Sequence, residues 1–511
     1  MVRAGRIELP TTAWKAVILP LNHARALSIR WTNPNKWGVL EQCCRKNISL
    51  GRTSKYNASV NVSIFKSYDI RGIFGTELTE DIAYRVGRAI VQEFGARSIV
   101  VARDHRVSSP ALFNAIAHGL NSEKAKVVDL GLADTPMLYF ASAKLPVDAA
   151  VMITASHNPA QYNGIKVCRK NAIPVGLSSG LDRIRDRALT LPDPTAEERR
   201  MRPKTRQTNI AEAYEGFLLS FANSAQRRFR IATDCANAMG VFELPVFHKM
   251  RNVEMVGEIH KTLGAPSPHL ADPSKTETLV ELQHLVRASR ADFGVAFDGD
   301  ADRIGIVDER GHVVPPDILM AILCRWVLEE HPHATILYDV RSSRTVPEEV
   351  ERLGGRAVEC KVGHANIKAA MREEGAAFAG ELSAHYYWNE GGYVAEMGSL
   401  PAIILMNILA KDGRPLSALV EELAKYHHSG EINFHGISNP ARLFEEAKVR
   451  FAGGHVSTMD GIKISYFDWW FSLRASNTEP LVRLVLEASS ANDLELHRQE
   501  LVRFIERFID K

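Results

Sequence analysis

Ala149-Ala150-Val151-Met152-Ile153-Thr154-Ala155-Ser156-His157-Asn158-Pro159 sets an unbroken apolar run against a tight polar turn. A short apolar segment bounded by turn-forming residues reads as a buried strand, so this one delivers a lone hydroxyl nucleophile to a loop tip. Upstream of it, 98–102 and 126–129 read as strands, and 111–120 and 135–144 as helices. The same series of strand, helix, strand, helix, strand then recurs. A second block runs from a strand at 230–233 through a helix at 241–250, a strand at 253–256 and a helix at 277–288 to a strand at 293–297. A third runs through 335–340, 346–353, 357–360 and 365–374 to 377–379. Each series ends on a polar signature: the serine turn, then Asp298-Gly299-Asp300-Ala301-Asp302-Arg303, then Gly380-Glu381-Leu382-Ser383-Ala384-His385. Alternating strands and helices build α/β layers, and ligands in such sheets bind beyond the carboxyl ends of the strands. Three divergent repeats aiming their loops into one cleft are therefore expected.

Past about residue 430 the pattern changes to strands at 462–466 and 481–487 and a terminal helix at 491–508, the mark of a smaller α+β unit. The expected fold is α/β: three related mixed-sheet α/β domains, then a smaller α+β C-terminal domain, around one central cleft. The boundaries expected are an N-terminal extension at 1–61 and domains at 62–205, 206–311, 312–427 and 428–511. The stretch 192–207, rich in Pro, Arg and Glu, reads as a linker.

A chain of 511 residues is too long for one apolar core and, at roughly 150 residues per domain, suggests three or four units. Its net charge of +3 gives no global basic excess to attract nucleic acid. No apolar run approaches the ~20 residues of a membrane span. The six cysteines, Cys43, Cys44, Cys168, Cys235, Cys324 and Cys360, lack C-x-x-C spacing and read as reduced thiols in a cytoplasm. The first sixty residues are basic and carry no sustained period, which sets them apart from the core. They lack the apolar stretch and cleavage site of a secretion signal.

Serine needs a base, a charge or a metal to act as a nucleophile at neutral pH. Alone, the hexapeptide at 154–159 reads equally as a site or as a turn in which Ser, Asn and Pro serve only backbone geometry. Asp298, Asp300 and Asp302 alternate, so their carboxylates can converge on one hard cation such as Mg2+. With Glu309 as twelfth residue the stretch imitates an EF-hand, but Arg303 stands where that loop needs glycine and β-like runs flank it. Glu381, Ser383 and His385 supply acceptors and an imidazole for sugar hydroxyls and proton transfer. Arg474-Ala475-Ser476-Asn477-Thr478-Glu479-Pro480 presents a guanidinium fork, hydroxyls, an amide and backbone N–H groups, a set suited to a phosphate.

In that order the four segments resemble the α-D-phosphohexomutase family, over nearly everything after about residue 64, with Ala384-His385-Tyr386-Tyr387 closer to the form of its phosphomannomutase branch and Asn477 favouring mannose or glucose phosphates. The resemblance implies that Ser156, followed by Tyr162-Asn163-Gly164-Ile165-Lys166, carries a phosphoryl group with Lys166 as a nearby cation. It makes Asp298, Asp300 and Asp302 ligands of Mg2+ together with an oxygen on Ser156, and Arg303 a substrate-side cation. Arg71, in Tyr68-Asp69-Ile70-Arg71-Gly72, points into the same cleft, and His385 stands there as a catalytic acid or base. Arg341, His364, Glu381 and Ser383 hold the sugar, and Arg474, Ser476, Asn477 and Thr478 hold the phosphate that is not reacting. The implied activity is interconversion of mannose 6-phosphate and mannose 1-phosphate with a hexose 1,6-bisphosphate as activator. A phosphoglucomutase or dual-specificity enzyme is the neighbouring alternative, and a metal-dependent sugar phosphatase the one from another class. The expected partner is a phosphorylated hexose, with no nucleic acid and no membrane, and the enzyme a cytoplasmic monomer or weak homodimer.

Overall fold

The computed structural model describes residues 61–223, 227–476 and 481–510. The extension expected at 1–61 lies outside the described residues apart from Asn61, as do Asn477 and Thr478. Four sheets follow one another along the chain.

The first three share one plan. In the first sheet the parallel strands Ser98–Arg103, Lys126–Leu132 and Ala149–Ile153 pair with Ser98–Arg103 at the centre. Tyr162–Arg169 then returns antiparallel to Ala149–Ile153. In the second, Phe229–Asp234 lies between Val253–Ile259 and Phe293–Phe297, and Ile304–Asp308 returns antiparallel. In the third, Thr335–Asp339 lies between Arg356–Cys360 and Phe378–Gly380, and Tyr386–Glu390 returns antiparallel. The order of the four strands is identical in all three. Even the register shift between the first two strands recurs, at Val101/Ala102 and at Ile231/Ala232. The expected repeats are thus visible in topology, with the addition of a return strand that makes each signature loop the tip of a hairpin. The fourth sheet is antiparallel, with Leu481–Ala488 pairing Trp469–Ala475, Ile432–His435 and His427–His428.

Side chains alternate along these strands, because the period of a strand is two. Ala149, Val151 and Ile153 join Ile99 and Val101 in a core on one face of the first sheet. Ala150 and Met152 point the other way, into a core that continues without a break through Phe229, Phe293 and Phe297 to Trp388 and the helices Pro316–Glu330 and Leu400–Asp412. Strands buried on both faces read as unbroken apolar runs for this reason. The first three domains therefore share a core on one face of their sheets, while each also closes a smaller one of its own on the other face. The fourth closes a separate one around Phe471, Leu484 and Phe504.

Two expectations change. The segment expected as a linker at 192–207 ends in the strand Thr205–Gln207, which adds to the edge of the first sheet beside Lys126–Leu132, so the 205/206 boundary falls within a strand. Its polar composition suited an edge strand as well as it suited a loop. The strand His427–His428 likewise straddles the 427/428 boundary. The four cysteines among the described residues are buried and unpaired. No helix among them is long and apolar enough to cross a membrane.

Candidate active site

A cleft of about 1230 Å³ opens between the four domains, and each lines it: Ser156 from the first, Arg303 from the second, His385 from the third, Arg474 from the fourth. Arg71, Lys166, Asp302, Arg341, His364, Glu381, Ser383 and Ser476 also line it, while Asp298 and Asp300 are fully buried beneath its floor.

Each hairpin tip turns through a residue other than glycine in the left-handed region: Ser156 at φ 50°, Ala301 at φ 60° and Ala384 at φ 68°. That conformation costs an L-residue roughly 1–2 kcal/mol, so the surroundings must enforce it. Around Ser156 the enforcer is Arg106. Its Nη1 donates to the carbonyls of Pro159 (2.8 Å) and Tyr162 (3.0 Å), and its Nη2 to those of Ser156 (2.8 Å) and Asn158 (2.6 Å). Asp104, buried and accepting from Ser109 Oγ, holds Arg106 Nε at 3.2 Å. This clasp was missed in the sequence reading, although it lies in the loop after the strand Ser98–Arg103, at the sheet end where ligands are expected.

Ser156 Oγ donates to Asp298 Oδ2 at 2.7 Å and lies 3.1 Å from His157 Nδ1. Arg303 Nη2 stands 3.0 Å from the same His157 nitrogen, with Nη1 3.3 Å from Asp272, a second residue the sequence did not single out. An arginine only donates, so His157 Nδ1 is an acceptor. Burial and then the Arg303 charge push the pKa of His157 well below the usual imidazole range. Arg71 donates to Asn158 Oδ1 at 2.6 Å and pairs with Asp69.

One oxygen from each of Asp298, Asp300 and Asp302 can be chosen so that all lie within 4.8 Å of one another. Lys166 Nζ donates to Asp300 Oδ2 (2.6 Å) and Asp302 Oδ2 (2.7 Å), and Thr135 Oγ1 donates to Asp300 Oδ2 (2.6 Å). Burial alone would discharge that lysine, but the two carboxylates outweigh it and raise its pKa above the ordinary value. Asp300 Oδ1 is buried with no hydrogen-bond partner. Burial, then Asp302 and Asp300, push the Asp298 carboxyl well above the carboxylate range. Three crowded carboxylates, an orphaned oxygen and a hydroxyl form a hard, oxygen-only donor set that fits Mg2+.

On the third loop His385 lies between Asp302 Oδ1 (3.4 Å from Nε2) and Glu381 Oε2 (3.3 Å from Nδ1), with Ser383 Oγ 3.1 Å from Nδ1. Burial opposes its charge, yet Asp302 and Glu381 prevail and its pKa rises to about 9. Glu381 in turn accepts from the Gly363 N–H (2.7 Å) and from Tyr387 OH (2.6 Å). Burial would raise its carboxyl, but His385 and Arg341 hold it below the usual range. Arg341 is bound on both Nε and Nη2 to Asp339 and on Nη1 to Glu431. His364, edge-on to Tyr68, is kept neutral first by burial and then by Lys368 and Lys166. In the fourth domain Arg474 Nη2 lies 2.9 Å from Asp460 Oδ2. The described residues thus bring together every sequence-predicted site residue except Asn477 and Thr478.

Comparison with known proteins identifies the four domains. Phosphoglucomutase/phosphomannomutase alpha/beta/alpha domains I, II and III match residues 62–191, 210–311 and 315–426, and the C-terminal domain of the same family matches 405–504. The chain is 37% identical to a phosphomannomutase of Methanocaldococcus jannaschii, over 87% of this chain and 98% of the relative. It is 33% identical to a phosphoglucomutase of Neisseria gonorrhoeae, over 86% and 95%. A crystal structure of a phosphoglucomutase/phosphomannomutase family protein from Burkholderia thailandensis matches with a TM-score of 0.79 at 32% identity, over 88% of this chain and 98% of that one. With four domains arranged around a cleft that gathers a serine, an acidic triad and a sugar-type loop, the chain belongs to the phosphoglucomutase/phosphomannomutase family of phosphohexomutases, enzymes of the isomerase class.

Proposed function

We propose that this enzyme interconverts mannose 6-phosphate and mannose 1-phosphate. The observation that carries the reading is the placement of Ser156 Oγ against Asp298, with cationic and sugar-type side chains from all four domains facing it across one cleft. In the proposed reaction, phosphorylated Ser156 gives its phosphoryl group to the free hydroxyl of the bound sugar phosphate. The Oγ–P bond breaks as the sugar O–P bond forms, and a hexose 1,6-bisphosphate results. The bisphosphate turns over in the cleft and returns its other phosphate to Ser156 Oγ. Arg474 and Ser476, together with Asn477 and Thr478, grip whichever phosphate is not reacting, so one site serves both orientations.

Asp298, Asp300 and Asp302 would hold Mg2+, which when bound offsets negative charge on the transferring group. Lys166 and Arg303 add fixed positive charge near the same atoms, on largely buried side chains where charge acts more strongly than in water. His385, set between Asp302 and Glu381, is placed to exchange a proton with the sugar oxygen: as the neutral ring it takes the proton of the attacking hydroxyl, and as the imidazolium it returns one to the leaving oxygen. Glu381, Ser383, Arg341 and His364 orient the ring, and Arg71 steadies the serine loop through Asn158. Hexose 1,6-bisphosphate acts as activator by recharging the serine. The first domain is proposed to extend to Gln207, so that it keeps its edge strand.

The sugars differ at the C2 hydroxyl, and one or two hydrogen bonds worth about 0.5–1.5 kcal/mol each support roughly tenfold selectivity. The test is kcat/KM on mannose 1-phosphate and glucose 1-phosphate with saturating bisphosphate, for the wild type and Ser156→Ala. Mannose is expected to lead by about tenfold, and the alanine variant to lose more than about a thousandfold. A clear lead for glucose 1-phosphate would favour the phosphoglucomutase reading, in line with the Neisseria relative. Release of phosphate without isomerisation would favour a sugar phosphatase, and full activity in the alanine variant would overturn the phosphoserine.

A further inference from the structure

A second group of potential ligands stands outside this machinery, also in the second domain. Asp234 ends the strand Phe229–Asp234, His260 follows the neighbouring strand Val253–Ile259, and His269 lies in the loop beyond. One donor atom from each can be chosen so that all three lie within 4.8 Å of one another. Asp234 is buried, while the two imidazoles are partly exposed.

The hydrogen bonds of His269 make its position informative. Nδ1 lies 2.9 Å from the carbonyl oxygen of Leu270, and a carbonyl only accepts, so Nδ1 carries the proton. In the neutral ring Nε2 is then a bare lone pair, and it points at Asp234 Oδ2 from 3.0 Å. Two lone pairs at that distance repel unless a proton or a metal ion stands between them. A ring whose other nitrogen donates to a backbone carbonyl is the usual setting of a metal-ligating histidine. Two imidazoles on one tetrahedral ion with bonds of about 2.0–2.1 Å put their ring centres roughly 5 Å apart. The centres of His260 and His269 are 5.4 Å apart, with the rings at 83°. Glu281 Oε2, 3.1 Å from His260 Nε2, places a further carboxylate at the rim.

We propose that Asp234, His260 and His269 form a binding site for Zn2+ or a similar imidazole-preferring divalent metal, separate from the oxygen-only aspartate triad. Two nitrogens and one carboxylate are a donor set for zinc and a poor one for Mg2+. The ion ties the loop after Ile259 to the sheet. That loop continues into Asp272, the partner of Arg303, so the site is a staple for the wall of the cleft.

The test uses the full chain with Mg2+ in excess and Co2+ as a spectroscopic stand-in for zinc. Expected is one equivalent of Co2+ with the strong visible absorption of a tetrahedral, nitrogen-bound ion, displaced by Zn2+ and unchanged in Asp300→Asn. His260→Ala and His269→Ala, each checked for native circular dichroism, should weaken binding by at least about tenfold. Absence of the tetrahedral spectrum in the wild type would overturn the site and leave Asp234–His269 as an ion pair. Loss of the signal in Asp300→Asn would overturn it by assigning the ion to the triad. Survival of full affinity in both histidine variants would do the same.

Discussion

At the scale of single residues, the serine loop depends on a side chain that does not line the cleft. Arg106 donates to four carbonyls spread from Ser156 to Tyr162, and through them holds the left-handed turn that presents the hydroxyl. Arg106→Ala is expected to lower kcat by about a hundredfold, since a misplacement of ~1 Å costs that much. It is also expected to cost about 3–5 kcal/mol of stability, because buried Asp104 loses its cation. Arg106→Lys should rescue little, as an ammonium has three donors and no planar fork. Steady-state kinetics and urea unfolding of both variants check this, and wild-type kcat in Arg106→Ala would refute it.

At the scale of elements, two hairpin tips from different domains meet backbone to backbone. A Cβ built on Gly299 would lie 2.1 Å from the Ser156 carbonyl oxygen, well inside contact distance. Gly299→Ala must therefore part the serine loop from the acidic loop, and a loss of about a hundredfold in kcat is expected with the global fold kept. Rates alongside circular dichroism decide it. In the helix Thr345–Arg352, Glu349 is bound by Arg352 (2.6 and 2.8 Å) and Arg325 (2.9 Å). Burial would raise its carboxyl, but those hydrogen bonds prevail and hold it below the ordinary value. A depressed folded-state pKa stabilises above the unfolded value, and that contribution fades as pH falls through the folded one. Glu349→Gln should thus lower Tm at neutral pH and flatten its decline on acidification. Parallel melting curves from neutral pH to about pH 3, below the ordinary glutamate range, would show it.

At the scale of the whole molecule, the first three domains are joined by a common apolar core, whereas the fourth has its own and is attached largely through polar contacts. Arg344 is one fastening: it donates to the carbonyls of Tyr466 (2.5 Å), Phe467 (2.6 Å) and Trp469 (3.0 Å), and its N–H to Glu487 (3.1 Å). Arg344→Ala should loosen the domain that carries Arg474 and raise KM about tenfold, the equivalent of one charge-assisted hydrogen bond, with kcat less affected. An unchanged KM would mean that other contacts suffice to seat the domain.

The sequence by itself determined the three parallel strands of each repeat, their order along the chain and the signature loops, because each of those signals is local. An apolar run ending in Thr154-Ala155-Ser156 and aspartates alternating at 298, 300 and 302 are legible within a few residues of themselves. The helix Thr135–Lys144 fell within its expected limits for the same reason, with Asp134 capping it and a proline in its first turn. The shared core was decided only in three dimensions, because alternating burial shows that a strand has two covered faces but not which domain covers the second. Arg106, Asp272 and the Asp234–His260–His269 cluster were equally hidden. Their partners lie about 30 to 56 residues away in most of these contacts, and no local pattern marks a side chain whose role is to satisfy another loop's carbonyls. What tertiary structure added was the pairing of charges and hydrogen-bonding groups between distant stretches of the chain, since a buried polar atom must find a partner wherever the fold places one.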